Sequence, residues 1–404
     1  MTLTLDDVRA AAARIAGHLS PTPAVPAPRL GDMVGCRLHL KLENQHATSS
    51  FKERGALNKL LSLDDAARAA GVIAMSAGNH AQAVACHATR LGIRSTIVMP
   101  AFTPFTKVER TENLGATVEL HGETLSEAAA FAHDLARRDG LVFVHPYDDP
   151  LVAAGQGTAA LELLDEVPDL DMLVVPIGGG GLIAGMATAA KALRPDLRIL
   201  GVQCSLYPAV RQALAGQPIT CGGATVAEGI AVKAPGALTL PIIRDLVEDV
   251  VEVEEARLEE AVYLLATVQK QVAEGAGAAA LAAVLNDPER FRGRKVGIVL
   301  SGGNIDSRIL AQVLMRGLVY EGRIVRLRIS ITDAPGTLAR VTRLLGEAGA
   351  NIVEVHHQRL FHNVPVKMAE VDVVLETRNQ THVEALIRRM REAGYPTNLM
   401  VEVG

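Results

Sequence analysis

The feature that most restricts the fold of this chain is a run of four glycines at residues 178–181. The apolar segment before it, residues 171–176, predicts a buried strand, and residues 187–193 after it predict a helix. Glycines between a strand and a helix expose backbone N–H groups beside the positive end of the helix dipole, which is typical of a phosphate-binding turn. The run also loosely fits a dinucleotide fingerprint, but the next strand ends on Gln203 instead of an acidic residue. A single bound phosphate is therefore favoured over a dinucleotide.

Two further segments show a predicted strand that leads into a turn of small and polar residues. Strand 72–75 is followed by the turn 76–80 (SAGNH), and strand 296–300 is followed by the turn 301–304 (SGGN). Open α/β sheets bind their ligands at such carboxyl ends of parallel strands. The first turn, through its N–H groups and Asn79, is suited to a carboxylate or a phenolic oxygen, although such a turn is also a good helix N-cap.

Lys52 lies in the segment 48–56 (TSSFKERGA), among small, hydroxyl-bearing and glycine residues. A free lysine has a pKa near ~10.4 and is a poor nucleophile at neutral pH. A lysine that forms an imine with an aldehyde cofactor needs a site that favours the neutral amine. On this segment alone an ordinary surface lysine at a helix start is the simpler interpretation, and the three turns described above reverse that preference.

Together, in this order, the four segments resemble the pyridoxal phosphate (PLP) enzymes of the tryptophan-synthase β-subunit fold, fold type II, and among them the threonine and serine dehydratases. The resemblance spans roughly residues 5–320 and implies that Lys52 is the catalytic residue and forms the imine with PLP. The residues that it implies for cofactor binding are Phe51, Lys52, Asn79, Gly178, Gly179, Gly180, Gly181, Leu182 and Ser301. Those that it implies for substrate binding are Ser76, Ala77, Gly78, Asn79 and His80.

The chemistry of these residue types suits an elimination. A hydroxyl such as that of Ser301, which the resemblance places at the pyridine nitrogen, cannot hold that nitrogen protonated as an aspartate would. Transamination is therefore disfavoured, whereas elimination proceeds because the leaving β-hydroxyl takes the electrons. Lys52 is the expected base for the α-proton, and the cofactor phosphate is the expected acid for the leaving hydroxyl.

Four residues differ from the motifs of related enzymes, and they narrow the reaction that is expected of this chain. Ser49 stands where the family usually has glycine, a small change that leaves imine formation plausible. Ala77 stands where serine racemases carry a serine, so the acid that racemisation needs is missing and a lyase is expected. His80 replaces the threonine of cysteine synthases. Gln203 replaces the metal-binding glutamate of racemase-like dehydratases and makes a poor oxygen cage with Tyr207 and Ala209, so no dedicated metal of that kind is expected.

Composition excludes several other classes of protein. The net charge of −5 and the absence of a long basic block argue against nucleic-acid binding, and 3% aromatic residues provide no stacking platform. No apolar run reaches the length of a membrane span. The N-terminus lacks a secretory pattern. The four cysteines have no paired spacing, so buried free thiols in a cytoplasmic protein are expected at Cys36, Cys86, Cys204 and Cys221.

Alternating strands and helices predict parallel sheets with helices on both faces. A smaller α/β subdomain at about 47–147 is expected to be inserted in the larger one, within a catalytic domain at 1–320. Residues 35–43 predict an early strand of the larger layer. Prolines at 21, 23, 26 and 28 predict an extended stretch after an N-terminal helix. The strands and helices predicted for the smaller layer are residues 72–75, 95–99, 105–114, 116–120, 125–138 and 141–144.

Residues 321–404 predict a separate βαββαβ domain of the ferredoxin-like type. Its first turn resembles the loop of ACT regulatory domains, and the effector-binding residues that this implies are Asp333, Pro335, Gly336 and Leu338. Its elements are predicted at residues 324–331, 337–348, 351–359, 367–377, 382–393 and 397–403. A metal cluster of His356, His357 and His362 is the less favoured alternative, since adjacent strand residues point to opposite faces.

These observations lead to one main hypothesis, a PLP-dependent threonine ammonia-lyase that converts L-threonine to 2-oxobutanoate and ammonia, with L-serine as a secondary substrate. A serine or 3-hydroxyaspartate dehydratase is the enzymatic alternative, and a non-catalytic PLP-containing amino-acid sensor is the alternative from another class. Isoleucine or a related amino acid is the expected allosteric effector. The resemblance and the pairing habit of ACT domains imply a homodimer or homotetramer. Isoleucine biosynthesis is the expected role, with a degradative role left open.

Overall fold

The structure is a computed structural model that describes residues 3–358 and 365–400 and divides into two compact units, residues 1–306 and 307–404. The first unit contains helices α1 to α14: Leu5–Ile15, Pro28–Val34, Lys52–Leu61, Asp65–Ala70, Asn79–Arg90, Phe105–Asn113, Leu125–Asp139, Pro150–Glu166, Gly181–Leu193, Ala209–Leu214, Thr239–Leu246, Glu255–Leu264, Gly275–Asn286 and Pro288–Phe291. Its strands β1 to β10 are Ala24–Pro26, Arg37–Leu42, Val72–Met75, Ser95–Met99, Thr117–Leu120, Val142–Phe143, Met172–Pro176, Arg198–Cys204, Asp249–Val253 and Lys295–Leu300.

The larger sheet of this unit has the order β1-β2-β10-β7-β8-β9 and is parallel except for β1. Its central strands β10 and β7 are almost entirely apolar, as expected of a parallel sheet covered on both faces. All five residues of β7 are buried, and α8 and α9 pack against this sheet in one large core cluster. The predicted early strand at 35–43 is β2 and is confirmed.

The smaller sheet has the order β5-β4-β3-β6 and is fully parallel. Separate apolar clusters cover its two faces, one formed mainly with α5 and one with α7. Both sheets therefore have the layered architecture that the alternation of strands and helices predicts. The carboxyl ends of β3, β7 and β10 lead into the three turns singled out in the sequence, and β6 leads into a fourth, residues 145–149.

One predicted extended segment is partly helical. The prolines from 21 to 28 predict extended chain, but only Ala24–Pro26 is a strand, and Pro28 begins α2. A proline at the first position of a helix sacrifices no hydrogen bond, because that N–H has no partner within the helix. The prediction of extended chain through Pro28 was wrong for this reason.

The second unit consists of α15 (Ser307–Tyr320), β11 (Ile324–Thr332), α16 (Thr337–Glu347), β12 (Asn351–Gln358), β13 (Met368–Glu376), α17 (Gln380–Glu392) and β14 (Thr397–Leu399). Its sheet is antiparallel, with the order β12-β13-β11-β14, and α16 and α17 pack on it through a continuous apolar cluster. From β11 onward this is the predicted βαββαβ order. His362 and the predicted strand ends at 359 and 401–403 lie outside the described residues.

Candidate active site

The Lys52 side chain is partly buried, at the first residue of α3. Its Nζ donates a 2.7 Å hydrogen bond to the carbonyl oxygen of Pro146 and lies 5.1 Å from the centre of the Phe51 ring. Burial lowers the pKa of Lys52 to about 8, against an opposing effect of the Glu274 carboxylate. The amine is thus much easier to deprotonate than a surface lysine, which is the property that imine formation and proton transfer require.

The loop before Lys52 is attached to the turn after β10. The Phe51 N–H donates to the carbonyl of Ser301 (3.1 Å), Ser50 forms a bridge with Gly302, and the Gly303 N–H donates to the carbonyl of Ser49 (2.8 Å). These contacts bring segments that are far apart in the chain into one site. The Ser301 hydroxyl is buried and donates a long hydrogen bond (3.4 Å) to the carbonyl of Ala276, so it remains available to a better acceptor.

The turn 76–80 presents the open N-terminus of α5. The Ser76 Oγ accepts a hydrogen bond from the Gly78 N–H (3.2 Å), which shapes the turn. No side chain within the described residues caps α5. A Cβ added at Gly78 would meet no described atom within 4 Å, so the space beside the turn is open. An uncapped helix N-terminus beside open space suits a small anion such as a carboxylate.

Asn79 lies between two polar groups at the edge of this turn. Its Nδ2 donates to Glu274 Oε1 (2.6 Å), and its Oδ1 accepts from Asn304 Nδ2 (3.0 Å). Burial raises the pKa of Glu274 to about 7, although the hydrogen bond from Asn79 lowers it. The sequence predicts Asn79 as a ligand of the cofactor's phenolic oxygen, and the structure places it beside a carboxyl that is largely protonated below neutral pH.

His80 is buried and uncharged. Its Nε2 lies 2.8 Å from the carbonyl of Val144, so that nitrogen must be the donor, and its Nδ1 has no hydrogen-bond partner among the residues described. Burial and the nearby Lys52 charge lower the pKa of His80 to about 3. The side chain therefore offers an acceptor and no charge near neutral pH.

The glycine run forms a turn with no room for side chains. Gly180 has a φ of +97°, which favours glycine, and it precedes α9, whose N-terminus no described side chain caps. A Cβ at Gly179 would collide with the Tyr147 ring, and one at Gly180 would lie 2.7 Å from the Thr239 hydroxyl. Because the turn is packed on this side, backbone N–H groups are the donors that it can offer to an anion. Leu182, the second residue of α9, is buried.

The residues present fit pyridoxal phosphate. The group needs an amine for its aldehyde, N–H donors for its phosphate and a partner for its ring nitrogen. The first unit supplies an amine with a lowered pKa at Lys52, an uncapped glycine turn at 178–181 and a buried hydroxyl at Ser301. The role of each predicted site residue stays a prediction.

Some residues of this site were not predicted from the sequence. Pro146 accepts the Lys52 hydrogen bond, and the Tyr147 ring packs on the glycine turn. Both lie in the segment that follows β6, and the strand-then-turn pattern that identified the other three turns applies to it as well. The buried contacts of Glu53 carry no comparable signal, because a glutamate in a charged helical segment looks like a surface residue.

Gln203 is buried, and its Oε1 accepts a hydrogen bond from the Arg211 N–H (3.0 Å). Among residues 3–358 and 365–400, no group of three or more His, Cys, Asp or Glu side chains is arranged to hold a metal ion. In the same residues, no helix is both long and apolar enough to cross a membrane. His356 is exposed and pairs with Glu354, and the third member of the alternative histidine cluster is not among the described residues.

Comparison with known proteins agrees with this site. Residues 15–302 match the family described as pyridoxal-phosphate dependent enzymes, and residues 321–394 match the ACT domain. An L-threonine ammonia-lyase of Thermotoga maritima is 41% identical over 400 residues, which cover 98% of this chain and all of that protein.

Two solved structures are similar to three quarters or more of the chain. A threonine deaminase from T.th. is 41% identical, with a TM-score of 0.71, and the match covers 75% of this chain and 99% of that one. Maize serine racemase is 36% identical, with a TM-score of 0.74, and the match covers 80% of this chain and 100% of that one. The predicted fold class, cofactor and enzyme class are confirmed.

Proposed function

Because the chain belongs to the pyridoxal-phosphate-dependent enzymes and also carries an ACT domain, we propose that it is a threonine ammonia-lyase that converts L-threonine to 2-oxobutanoate and ammonia. The water lost in the elimination is regained when the released enamine is hydrolysed to the keto acid and ammonia. L-Serine is the proposed secondary substrate. The observation that carries this proposal is the Lys52 amine, whose pKa is lowered to about 8 and whose Nζ contacts the turn after β6 at Pro146. Along the chain Lys52 precedes the turn 76–80 and the glycine turn, in the order that the family requires. Two relatives named L-threonine ammonia-lyase, which align with 98% and 96% of this chain, support the choice of reaction.

Pyridoxal phosphate, when bound, withdraws electrons from the substrate Cα, so that the α-proton can be removed and the β-hydroxyl can leave. Lys52 then accepts the α-proton, because its amine is neutral at a pH only slightly above neutrality. The N–H groups of 178–181 and Leu182 would hold the phosphate. Phe51 would pack on the ring, and Asn79 would bond the phenolic oxygen.

The substrate carboxylate is assigned to the turn Ser76-Ala77-Gly78-Asn79-His80. The uncapped N-terminus of α5 and the open space beside Gly78 support this assignment. His80 adds no positive charge to the site, since its pKa is lowered to about 3. Orientation of the carboxylate therefore depends on N–H donors and the helix dipole, and these act without competing with Lys52 for a proton.

Ser301 decides between reaction types in this proposal. A buried hydroxyl can donate to the ring nitrogen or accept from it, but it cannot keep that nitrogen protonated as a carboxylate would. Electron withdrawal is then too weak for transamination. It suffices for elimination, because the leaving hydroxyl takes the electron pair.

A serine or 3-hydroxyaspartate dehydratase is the alternative within the same chemistry. The three substrates differ in the group on Cβ, and one methyl group provides only ~1–3 kcal/mol of discrimination. The kcat/KM values for the three amino acids therefore separate these enzymes. A non-catalytic sensor is the remaining alternative, and it is disfavoured because the amine, the phosphate turn and the ring partner are all present.

The second unit is proposed to regulate the first by binding isoleucine or a related amino acid at Asp333, Pro335, Gly336 and Leu338. Gly336 has a φ of +83° and is the N-cap residue of α16, which places backbone N–H groups at this loop. We further propose a cytoplasmic homodimer or homotetramer that acts in isoleucine biosynthesis. Size-exclusion chromatography with light scattering measures the number of subunits.

An absorbance spectrum of the purified protein and a keto-acid assay test the proposed function. A visible imine band that changes on addition of L-threonine, together with release of 2-oxobutanoate and ammonia in equal amounts, is the expected result. Colourless protein that takes up no pyridoxal phosphate would reject the proposal. A yellow protein that releases no keto acid from any of the three amino acids would favour the sensor.

A further inference from the structure

Glu53, the residue that follows Lys52, has a buried carboxylate with two partners. Its Oε1 accepts a hydrogen bond from the Thr48 N–H, and its Oε2 accepts one from His87 Nε2 at 2.9 Å. The Glu53 and His87 side chains are 0% and 1% exposed. Burial by itself would raise the pKa of Glu53, but the hydrogen bonds from His87 and Thr48 outweigh it and hold that pKa below its usual value. The group is therefore ionised and fully engaged at neutral pH.

The two partners of Glu53 belong to the two structural pieces that the reaction must keep aligned. Thr48 lies in the loop that leads directly into Lys52. His87 lies on α5, two turns after the residues Asn79 and His80 at its start. A single carboxylate thus connects the lysine loop with the helix that presents the proposed carboxylate-binding turn.

The loop held by Glu53 contains a strained residue. Ser49 has a φ of +57°, in the left-handed region that residues other than glycine rarely adopt. Such a conformation persists only where the surrounding structure enforces it. The Ser49 N–H donates to the carbonyl of His46 (2.8 Å), its carbonyl accepts from the Gly303 N–H (2.8 Å), and the neighbouring Thr48 N–H is fixed by Glu53.

Arg54, the next residue, is also buried but has a different set of partners. Its guanidinium contacts Glu43 (2.6 Å) and Glu162 (2.6 Å), which lie before α3 and on α8. These ion pairs attach α3 to the larger layer and do not reach α5. The adjacent charges Glu53 and Arg54 therefore hold α3 to different parts of the fold.

From these contacts we propose that Glu53 is a positioning residue for the reaction of Lys52. Its carboxylate fixes the strained loop and α5 together, and so sets the Lys52 amine in line with the substrate-binding turn. The measurement of activity in the test of this inference rests on the proposed function. The structural argument rests only on the contacts of Glu53. A misplacement of about 1 Å at a reacting group can cost roughly a hundredfold in rate.

The test compares full-length holoenzyme with Glu53→Ala and Glu53→Gln variants. Glu53→Ala is expected to lower kcat for threonine by about 10- to 100-fold with a smaller change in KM, since the amine is displaced more than the substrate. The visible circular dichroism per bound cofactor should decrease, and the cofactor should dissociate faster on dilution. Glu53→Gln keeps an acceptor for Thr48 and should lose less than Glu53→Ala; it also serves if the alanine variant does not fold.

Asn58→Ala is the matched control on the same helix. Asn58 is buried and makes two hydrogen bonds, from Arg14 (2.5 Å) and to the carbonyl of Leu151 (2.6 Å), on α1 and α8. Its loss should lower the melting temperature while kcat and the visible spectrum stay within about threefold of the wild type. An equal loss of kcat in this variant would show that the effect of Glu53 is general destabilisation, and would overturn the proposal.

Ser49→Gly provides a second, independent test. Glycine adopts the left-handed conformation without strain, so the loop needs less restraint. The double variant Ser49→Gly with Glu53→Ala should have a kcat roughly fivefold higher than Glu53→Ala alone, a factor that corresponds to the backbone strain removed at position 49. Absence of recovery, or a Glu53→Ala holoenzyme with wild-type kcat and spectrum, would reject the positioning role. A wild-type enzyme that releases no keto acid would instead reject the proposed function, while the spectral comparison still tests Glu53.

Discussion

The Asn79 amide donates a 2.6 Å hydrogen bond to the carboxyl of Glu274, and this contact joins the two α/β layers of the first unit. Asn79 begins the helix after β3 of the smaller sheet, whereas Glu274 is the N-cap residue of α13 beside the larger sheet. Because burial raises the pKa of Glu274 to about 7, the charge at this junction changes near neutral pH. The contact thus links the state of one carboxyl to the alignment of the site.

Replacing Glu274 with glutamine is expected to alter the pH dependence of stability. In the folded chain this carboxyl keeps its proton up to about pH 7, whereas in the unfolded chain it loses it near ~4.3. The folded state therefore binds more protons in this interval, and the wild type loses stability as the pH rises from about 5 to 8. The variant lacks this loss, so its unfolding free energy should gain about 2 to 3 kcal/mol relative to the wild type.

Urea unfolding of the cofactor-free chain at several pH values measures this difference. Glu109→Gln, which changes an exposed glutamate, is the control. Parallel pH dependence in the wild type and in Glu274→Gln would contradict the raised pKa.

Lys52→Ala is expected to abolish the imine band and to lower keto-acid release by at least about a hundredfold, because both the covalent link and the base are removed. Lys59→Ala is the control, since Lys59 lies on the same helix and forms an ion pair with Asp149 (2.6 Å), whereas the Lys52 amine contacts Pro146. Absorbance spectra and keto-acid assays of both variants measure the effect. A Lys52→Ala protein that remains yellow and active would reject the assignment of the lysine.

Gly180→Ala is expected to weaken pyridoxal phosphate binding by at least about tenfold, or ~1.4 kcal/mol. The added Cβ would lie 2.7 Å from the Thr239 hydroxyl and 2.8 Å from Ile243, so the turn must move. Gly92→Ala is the control, because Gly92 also has a positive φ (+68°) but has open space beside it. Fluorescence titration of the cofactor gives both affinities. Equal loss in the two variants would show that backbone strain alone is responsible.

The sequence predicts the parts of this site that depend on local patterns. The strands before 76–80, 178–181 and 301–304 are short apolar runs that end in glycine or polar turns. A parallel sheet brings the carboxyl ends of its strands to one edge, which accounts for the turns 178–181 and 301–304 of the larger sheet. The resemblance adds the roles of these turns. The α/β fold class therefore follows from the periodicity of the apolar residues and from the turns. Helix α2 was not predicted, because a proline can begin a helix as well as prevent one.

Contacts between distant segments are the part that the sequence does not predict. The Lys52 amine meets the carbonyl of Pro146, 94 positions away, and any residue type can supply a carbonyl at that place. Glu53 has the appearance of a solvent-facing charge, and its burial depends on His87 arriving from another helix. Such pairs are set by how the two layers pack, and no periodic signal records them.

Isoleucine or a related amino acid is expected to change the activity by about 5- to 150-fold through the second unit, the usual range of allosteric coupling. Coupling is reciprocal for binding, so threonine should change the affinity for the effector by the same factor by which the effector changes the affinity for threonine. Assays with a panel of amino acids, and calorimetric titration with and without substrate, measure both directions. Unchanged activity and melting temperature across the panel would contradict the proposed regulation.

Ala77→Ser is expected to introduce racemisation of L-serine, which the wild type should lack. Because the chain is similar to maize serine racemase, elimination has to be distinguished from racemisation, and the residue at position 77 offers a reason for the difference. Returning a proton to Cα on the face opposite Lys52 needs an acid, and the partly exposed methyl group of Ala77 cannot supply one. A serine hydroxyl at this position should raise D-serine formation by at least about tenfold, which is less than the roughly 10²–10⁴-fold that a well-positioned acid contributes.

Chiral chromatography of reactions with L-serine measures this product. The double variant Lys52→Ala with Ala77→Ser is the control for non-enzymatic racemisation. Formation of D-serine by the wild type at a rate comparable to keto-acid release would contradict the assignment of the chain as a lyase. In that case an acid other than residue 77 would have to reach the face of Cα opposite Lys52. The residue at position 77 would then not explain why the enzyme eliminates instead of racemising.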